Sequence, residues 1–161
     1  MTAQRFSAPW SSWLMVTTGL GTAAVLGGAF GLLESGNLWV AGGLLLVWIH
    51  SVSGHVRGYA VEGTTLHIER LFRHERVDLS GLSMVEPRPR LLRGSVRVGN
   101  GGLFAFAGWF FNGRERWMRV VATDLGERTV MLVVDDVKWV VSPDDPLGFS
   151  SAVRRAAGLE R

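Results

Sequence analysis

Four histidines and two acidic doublets are the residues in this sequence best suited to acid–base or metal chemistry. His50, His55, His67 and His74 include no i, i+4 pair with a carboxylate partner on one helix, the spacing that a helical zinc site needs. His67 and His74 lie in or near adjacent predicted strands and can approach each other, which surface histidines do more often than ligands. Asp135-Asp136 and Asp144-Asp145 sit among turn residues, and turn chemistry explains them better than acid–base work, which needs a cleft and a perturbed pKa. The chain has no Gly-x-Ser-x-Gly nucleophile elbow. It has no cysteine, which excludes disulfides, thiolate metal sites and cysteine nucleophiles. The sequence predicts no catalytic residue, no metal site and no cofactor.

A second candidate is "GNGGLFAFAGWFFNG", Gly99 to Gly113. A phosphate loop needs a helix N-terminus behind its glycines and, in a P-loop, a Gly-Lys-Ser/Thr ending. Here the glycines run into Leu103–Phe111, which reads as a strand, and no lysine is near. The stretch is also too short for a membrane span, which takes about 20 apolar residues. What remains is a glycine bend leading into a strand. The end of that strand, Trp109, Phe110 and Phe111, either packs in the core or dips into lipid. Beside it, "RPRLLRGSVR" makes the basic pole of the chain: between Glu86 and Arg119 seven arginines face two glutamates. Arg88, Arg90, Arg93 and Arg97 are the predicted contacts to anionic lipid or a partner, since each basic residue near an anionic leaflet contributes about 1 kcal/mol. The alternative is a solvated loop. No aromatic–basic stripe of the kind that binds nucleic acid is present.

These side chains must be positioned by two unlike halves. From Ser11 to Gly54 the only charged residue is Glu34. Ser12–Leu33 is long enough to cross a bilayer, and Leu38–Ser53 reaches span length if it extends to Val56. "ESGN" (Glu34–Asn37) joins them. Trp10, Trp13 and Trp39 lie near the predicted interfaces. The expected organisation is an N-terminal segment (1–11), a transmembrane helical hairpin (12–56) and a soluble domain (57–161). The 34–37 loop carries no basic residue, whereas Arg5, Arg57, Arg70, Arg73 and Arg76 flank the hairpin, so both termini should be cytoplasmic. Ala23, Gly27 and Gly31 form a small-residue stripe, which packs either on the second span through Gly42 and Gly43 or on another copy of the chain.

After Arg57 the pattern has period two. Short strands are expected at Val56–Val61, Thr65–Phe72, around Val77 and Leu79, from Ser83 to the prolines, and at Leu103–Phe111, Trp117–Thr123, Arg128–Val134 and Val137–Ser142. A helix follows, with Asp145 as N-cap, Pro146 in its first position and Gly158 as its stop. About seven strands and a final helix suit a small, bent antiparallel sheet or barrel capped by that helix.

The strand ending "VVAT" at Thr123, the glycine-rich bend, and "KWVVSPDDPLGF" (Lys138–Phe149) resemble the bacterial pleckstrin-homology (PH)-like domains of small membrane proteins. The resemblance covers roughly Tyr59 to Ala157. It implies an α+β membrane protein: a two-helix transmembrane hairpin followed by a PH-like antiparallel β-barrel or sandwich, with Phe149 plugging it. It also implies a non-enzymatic interaction module, binding a partner protein or the anionic surface of the bacterial inner membrane. The alternative function is an accessory subunit of a membrane complex or transporter that acts through oligomerisation of the hairpin.

Overall fold

The computed structural model describes residues 3–159. Residues 1, 2, 160 and 161, the outer ends of the predicted N-terminal segment and soluble domain, lie outside the described residues. Two apolar helices form where expected. Helix α1 (Ser12–Glu34) starts at Ser11, whose hydroxyl accepts the Leu14 N–H at 3.2 Å. Helix α2 (Leu38–Ser53) follows a tight turn in which Gly36 takes φ 79°. The two pack through Ala29 and Ala41, both buried, and the Trp48 indole N–H donates to the Thr22 hydroxyl at 3.2 Å. Ala23, Gly27 and Gly31 lie on an exposed side of α1, and a Cβ added at Gly27, Gly31, Gly42 or Gly43 would meet nothing within 4 Å. The stripe therefore does not pack on α2. The larger side chains of Thr22 and Trp48 set that seam.

The remainder is built from two sheets. The first holds β1 (Gln4–Ser7), β2 (Val56–Glu62), β3 (Thr65–Arg70) and β4 (His74–Asp78), in that order and antiparallel. The second holds β5 (Leu82–Pro87), β6 (Val96–Leu103), β7 (Ala105–Asn112), β8 (Arg116–Ala122), β9 (Val130–Val134) and β10 (Val137–Val141), in the order β5-β9-β10-β8-β7-β6. Two features depart from expectation. The N-terminal segment carries a strand that was not expected: β1 pairs with β2, Phe6 opposite Tyr59. And the sheets form an unclosed sandwich with one parallel pairing, β8 with β10, not a closed antiparallel barrel. The tight β9–β10 hairpin, turned by Asp135 and Asp136 at φ 48° and 64°, inserts between β5 and β8 and leaves β6 as an edge.

The core has two parts. Leu66, Ile68, Val77, Val121, Leu132 and Val141 fill the space between the sheets. On the far face of the second sheet, Phe106, Phe110, Met118 and Met131 are covered by Leu92 and by Leu14 of α1. Helix α3 (Pro146–Ala156) closes one end. The Asp145 carboxylate caps it by accepting the Gly148 N–H at 2.9 Å, Pro146 occupies the first turn, and Gly158 follows at φ 71°, as the sequence predicts. Phe149 is fully buried, edge-on to Phe6 at 5.2 Å and to Tyr59 at 5.9 Å.

The glycine-rich stretch corrects the expected bend. Its first glycines, Gly99, Gly101 and Gly102, lie inside β6, and the chain reverses at Phe104, at φ 66°, so Leu103–Phe111 is not one strand. Gly99 faces Gly108 across the β6–β7 ladder, with φ 135° and 144°. A Cβ at Gly99 would lie 2.6 Å from the Ala107 carbonyl oxygen, and one at Gly108 would strike that of Val98. Both strands need a residue without a side chain here. Gly108→Ala is expected to destabilise the protein by about 1–3 kcal/mol through backbone strain, read as a lowered midpoint in chemical unfolding. Gly113→Ala, in open space at ordinary φ, should be close to neutral.

Candidate functional site

The tip of the β6–β7 hairpin is wedged against the two helices. The Thr17 hydroxyl donates to the Gly102 carbonyl at 3.0 Å, and the Phe104 N–H donates to the Thr18 hydroxyl at 3.0 Å. The Phe104 ring stands between Trp10 and Trp48, at 6.2 and 6.0 Å. Asn100 braces the tip from within, its amide donating to the Leu103 carbonyl at 2.7 Å. His55 packs on Trp10 at 5.2 Å, and burial pushes its pKa below the ordinary value, against a smaller pull from the Phe104 backbone.

A buried polar network ties the same junction to the sandwich. The Ser142 hydroxyl accepts the N–H groups of Thr123 and Asp124 at 2.8 and 3.1 Å. Thr123 donates its hydroxyl to the Pro9 carbonyl at 3.0 Å, and its own carbonyl accepts the Ser11 N–H at 3.2 Å. Tyr59, pushed up to about 12 by burial, stays a neutral phenol. It donates to the Val121 carbonyl at 2.9 Å and accepts the Ser142 N–H at 3.1 Å. The "VVAT" and "SP" motifs therefore meet in space, where they fasten the segment entering α1.

The basic loop lies beside the start of α1. Arg90, Arg93 and Arg97 line a recess of about 900 Å³ together with Ser11 and Trp13. Arg88 is bonded to Glu86 at 3.0 Å and approaches Glu115 at 3.8 Å. The Glu115 carboxyl is held below its usual range by the hydrogen bond from Lys138. Arg90 pairs with Glu127 at 2.6 Å, both side chains well exposed, a geometry that contributes little in water. Arg97 stacks over the rings of Phe106 and Phe110 at 5.6 and 5.9 Å. Arg93 is exposed and makes no ion pair among the described residues.

The aromatic run divides by strand alternation. Phe110 is fully buried and offers no contact surface. Trp109 and Phe111 point to the opposite face, 43% and 37% exposed, where Val96, Val98 and Trp117 are also exposed. Trp109 faces Arg119 and Phe111 faces Trp117 across the ladder. His67 stands opposite Arg76 and His74 opposite Glu69, so the two histidines do not face each other.

Sequence reasoning missed a second basic cluster. Arg70, Arg73 and Arg119 line a cleft of about 970 Å³ with Phe72, Trp109 and the last turn of α2, at His50, Ser51 and Ser53. Glu75 accepts from Arg70 at 2.8 Å and also from Arg119, whose guanidinium lies 4.7 Å over the Trp139 ring. The one local signal was "LFRHER", which places apolar and basic residues together beyond the end of β3.

Two sheets packed as an unclosed sandwich, plugged at one end by a C-terminal helix, define a PH-like fold, a scaffold whose members are generally interaction modules. Residues 57–157 match the bacterial PH domain family, and the chain belongs to it. No curated protein and no solved structure matches it.

Proposed function

We propose that this protein is a membrane-anchored, non-enzymatic PH-like interaction module of the bacterial inner membrane. In this reading α1 and α2 cross the bilayer as a hairpin, with both termini and the soluble domain in the cytoplasm. The observation that carries it is the β1–β2 pairing. β1 precedes α1, β2 follows α2, and their hydrogen-bonded register returns the chain to the side from which it left. An even number of crossings follows if α1 crosses, and α1 is long and apolar enough to do so. Leu20, Phe30, Leu46 and Val47 are all exposed, as lipid-facing side chains would be. The recess beside Trp13 brings Arg90, Arg93 and Arg97 to the level at which such a helix enters the membrane. There they, with Arg88, would meet anionic lipid or a partner protein, as Trp109 and Phe111 would on the opposite face of the sheet.

The chain has no cysteine, so single substitutions report topology. Ser35→Cys, in the interhelical turn, is expected to react with an impermeant maleimide in intact spheroplasts. Asp136→Cys, in the β9–β10 turn, should react only after permeabilisation. Labelling of both in intact spheroplasts, or recovery of the chain in the soluble fraction after carbonate treatment, would overturn the reading. The exposed Ala23, Gly27 and Gly31 stripe favours a second reading, in which the hairpin oligomerises within a larger membrane complex. A crosslinked ladder that survives deletion of residues 57–161 would favour it.

A further inference from the structure

We propose that the cleft between the end of α2, the segment joining β3 to β4, the middle of β7 and the second half of β8 holds the phosphate headgroup of one anionic phospholipid. It is separate from the 88–97 loop, and it rests on the hairpin being in the membrane. Three observations converge on it.

The first is charge. Arg70, Arg73 and Arg119 line the cleft, and Arg70 and Arg119 share the single carboxylate of Glu75, so positive charge is left uncompensated. The Arg70 Nε is buried without a hydrogen-bond partner. A phosphate oxygen is an acceptor of the right charge for the guanidinium groups that line the cleft. The second is apolar surface. Phe72 is 74% exposed and Trp109 43% exposed at the cleft, next to the arginines. A soluble phosphate ligand has no use for these rings, whereas the glycerol and upper acyl chain of a lipid would cover them. The cleft is roughly the size of a small-molecule pocket.

The third is depth. α1 has 23 residues and α2 has 16, or about 34 and 24 Å of helix. Measured from their common turn, α2 stops about 10 Å short of the start of α1, and short of a hydrocarbon layer of about 30 Å. The β6–β7 tip fills the missing depth. A Cβ at Gly21, well inside α1, would lie 2.5 Å from the Leu103 side chain. The mouth of the cleft at His50–Ser53 thus opens about 6 Å inside the hydrocarbon boundary, a depth from which arginine guanidinium groups reach the headgroups. Arginine side chains with apolar stems settle at that level.

The test uses the full-length chain in lipid nanodiscs, with bound lipid read by native mass spectrometry after release. The probes are dioleoylphosphatidylglycerol and dioleoylphosphatidylcholine, with glycerol 3-phosphate as a soluble competitor. Wild type should retain one phosphatidylglycerol per chain in preference to phosphatidylcholine. Arg73→Gln should reduce that retention about fivefold, the effect of one interfacial cation. Phe72→Ser should also reduce it, whereas Arg76→Gln, an equal change of charge on the exposed part of β4, should not. Both Arg73 and Phe72 are exposed, so the fold should survive either substitution. Equal retention of the two lipids, an unchanged Arg73→Gln variant, or an equal loss in Arg76→Gln would overturn the site. Displacement by glycerol 3-phosphate would overturn the lipid as its ligand. If these results fail while the chain resists carbonate extraction, only the cleft is refuted. Release by carbonate refutes the anchoring beneath it.

Discussion

A chain shortened to residues 57–161 is expected to lose cooperative folding, even though it contains the whole of the family match. The cut removes β1 and with it Phe6, which is 8% exposed and lies edge-on to Phe149. Deleting a buried phenylalanine ring costs about 3–5 kcal/mol, out of the 5–15 kcal/mol that typically stabilises a domain. The cut also breaks the bond from Ser7 to the Asp144 carboxylate, at 2.6 Å, and the anchor of Pro9 and Ser11 on Thr123. β2 becomes an unprotected edge, which invites aggregation. The informative comparison joins residues 3–11 to 55–161 through a short Gly-Ser linker in place of the helices. Trp10 and His55 are in ring contact at 5.2 Å, so the linker has little distance to span. The linked chain should melt cooperatively, and the truncated chain about 15 °C lower or not cooperatively at all. Equal melting of the two would show that β1 is dispensable.

Phe149→Ala is expected to destabilise the full-length protein by about 3–5 kcal/mol. The ring has no exposed surface and touches both Phe6 of the first sheet and Tyr59 beside the buried network. It is also the largest buried side chain of α3, beside the smaller Ala152 and Val153, while Leu147 is 73% exposed. The variant should lower the denaturant midpoint and detach α3, seen as loss of amide protection over Pro146–Ala156. Phe149→Leu, which keeps most of the apolar volume, should recover more than half of the loss. An alanine variant within 1 kcal/mol of wild type would mean that α3 is held by something other than this ring.

The elements that local chemistry controls were legible in the residues. Both apolar helices, the Asp145–Pro146 helix start and the Asp135-Asp136 turn each follow from a few neighbouring side chains, and the plugging Phe149 follows from the resemblance to PH-like domains. Local reasoning failed wherever pairing was long-range. Nothing in "QRFS" marks a strand, because β1 exists only through its register with β2, more than fifty residues away. The parallel contact of β8 with β10 and the unclosed edge at β6 follow from the order in which hairpins add to the second sheet.

The surface divides in the same way. Composition alone locates the basic pole at Arg88–Arg97 and the apolar helices before it, because charge and hydropathy are properties of the chain. Only the folded structure decided which members are free to act. Strand alternation buries Phe110 and exposes Trp109 and Phe111, while the neighbouring Glu86 and the turn residue Glu127 occupy Arg88 and Arg90. Glu75 gathers Arg70 and Arg119 beside the end of α2. That cluster shows in one dimension only as "LFRHER", because its members come from three elements that meet only when the two sheets pack.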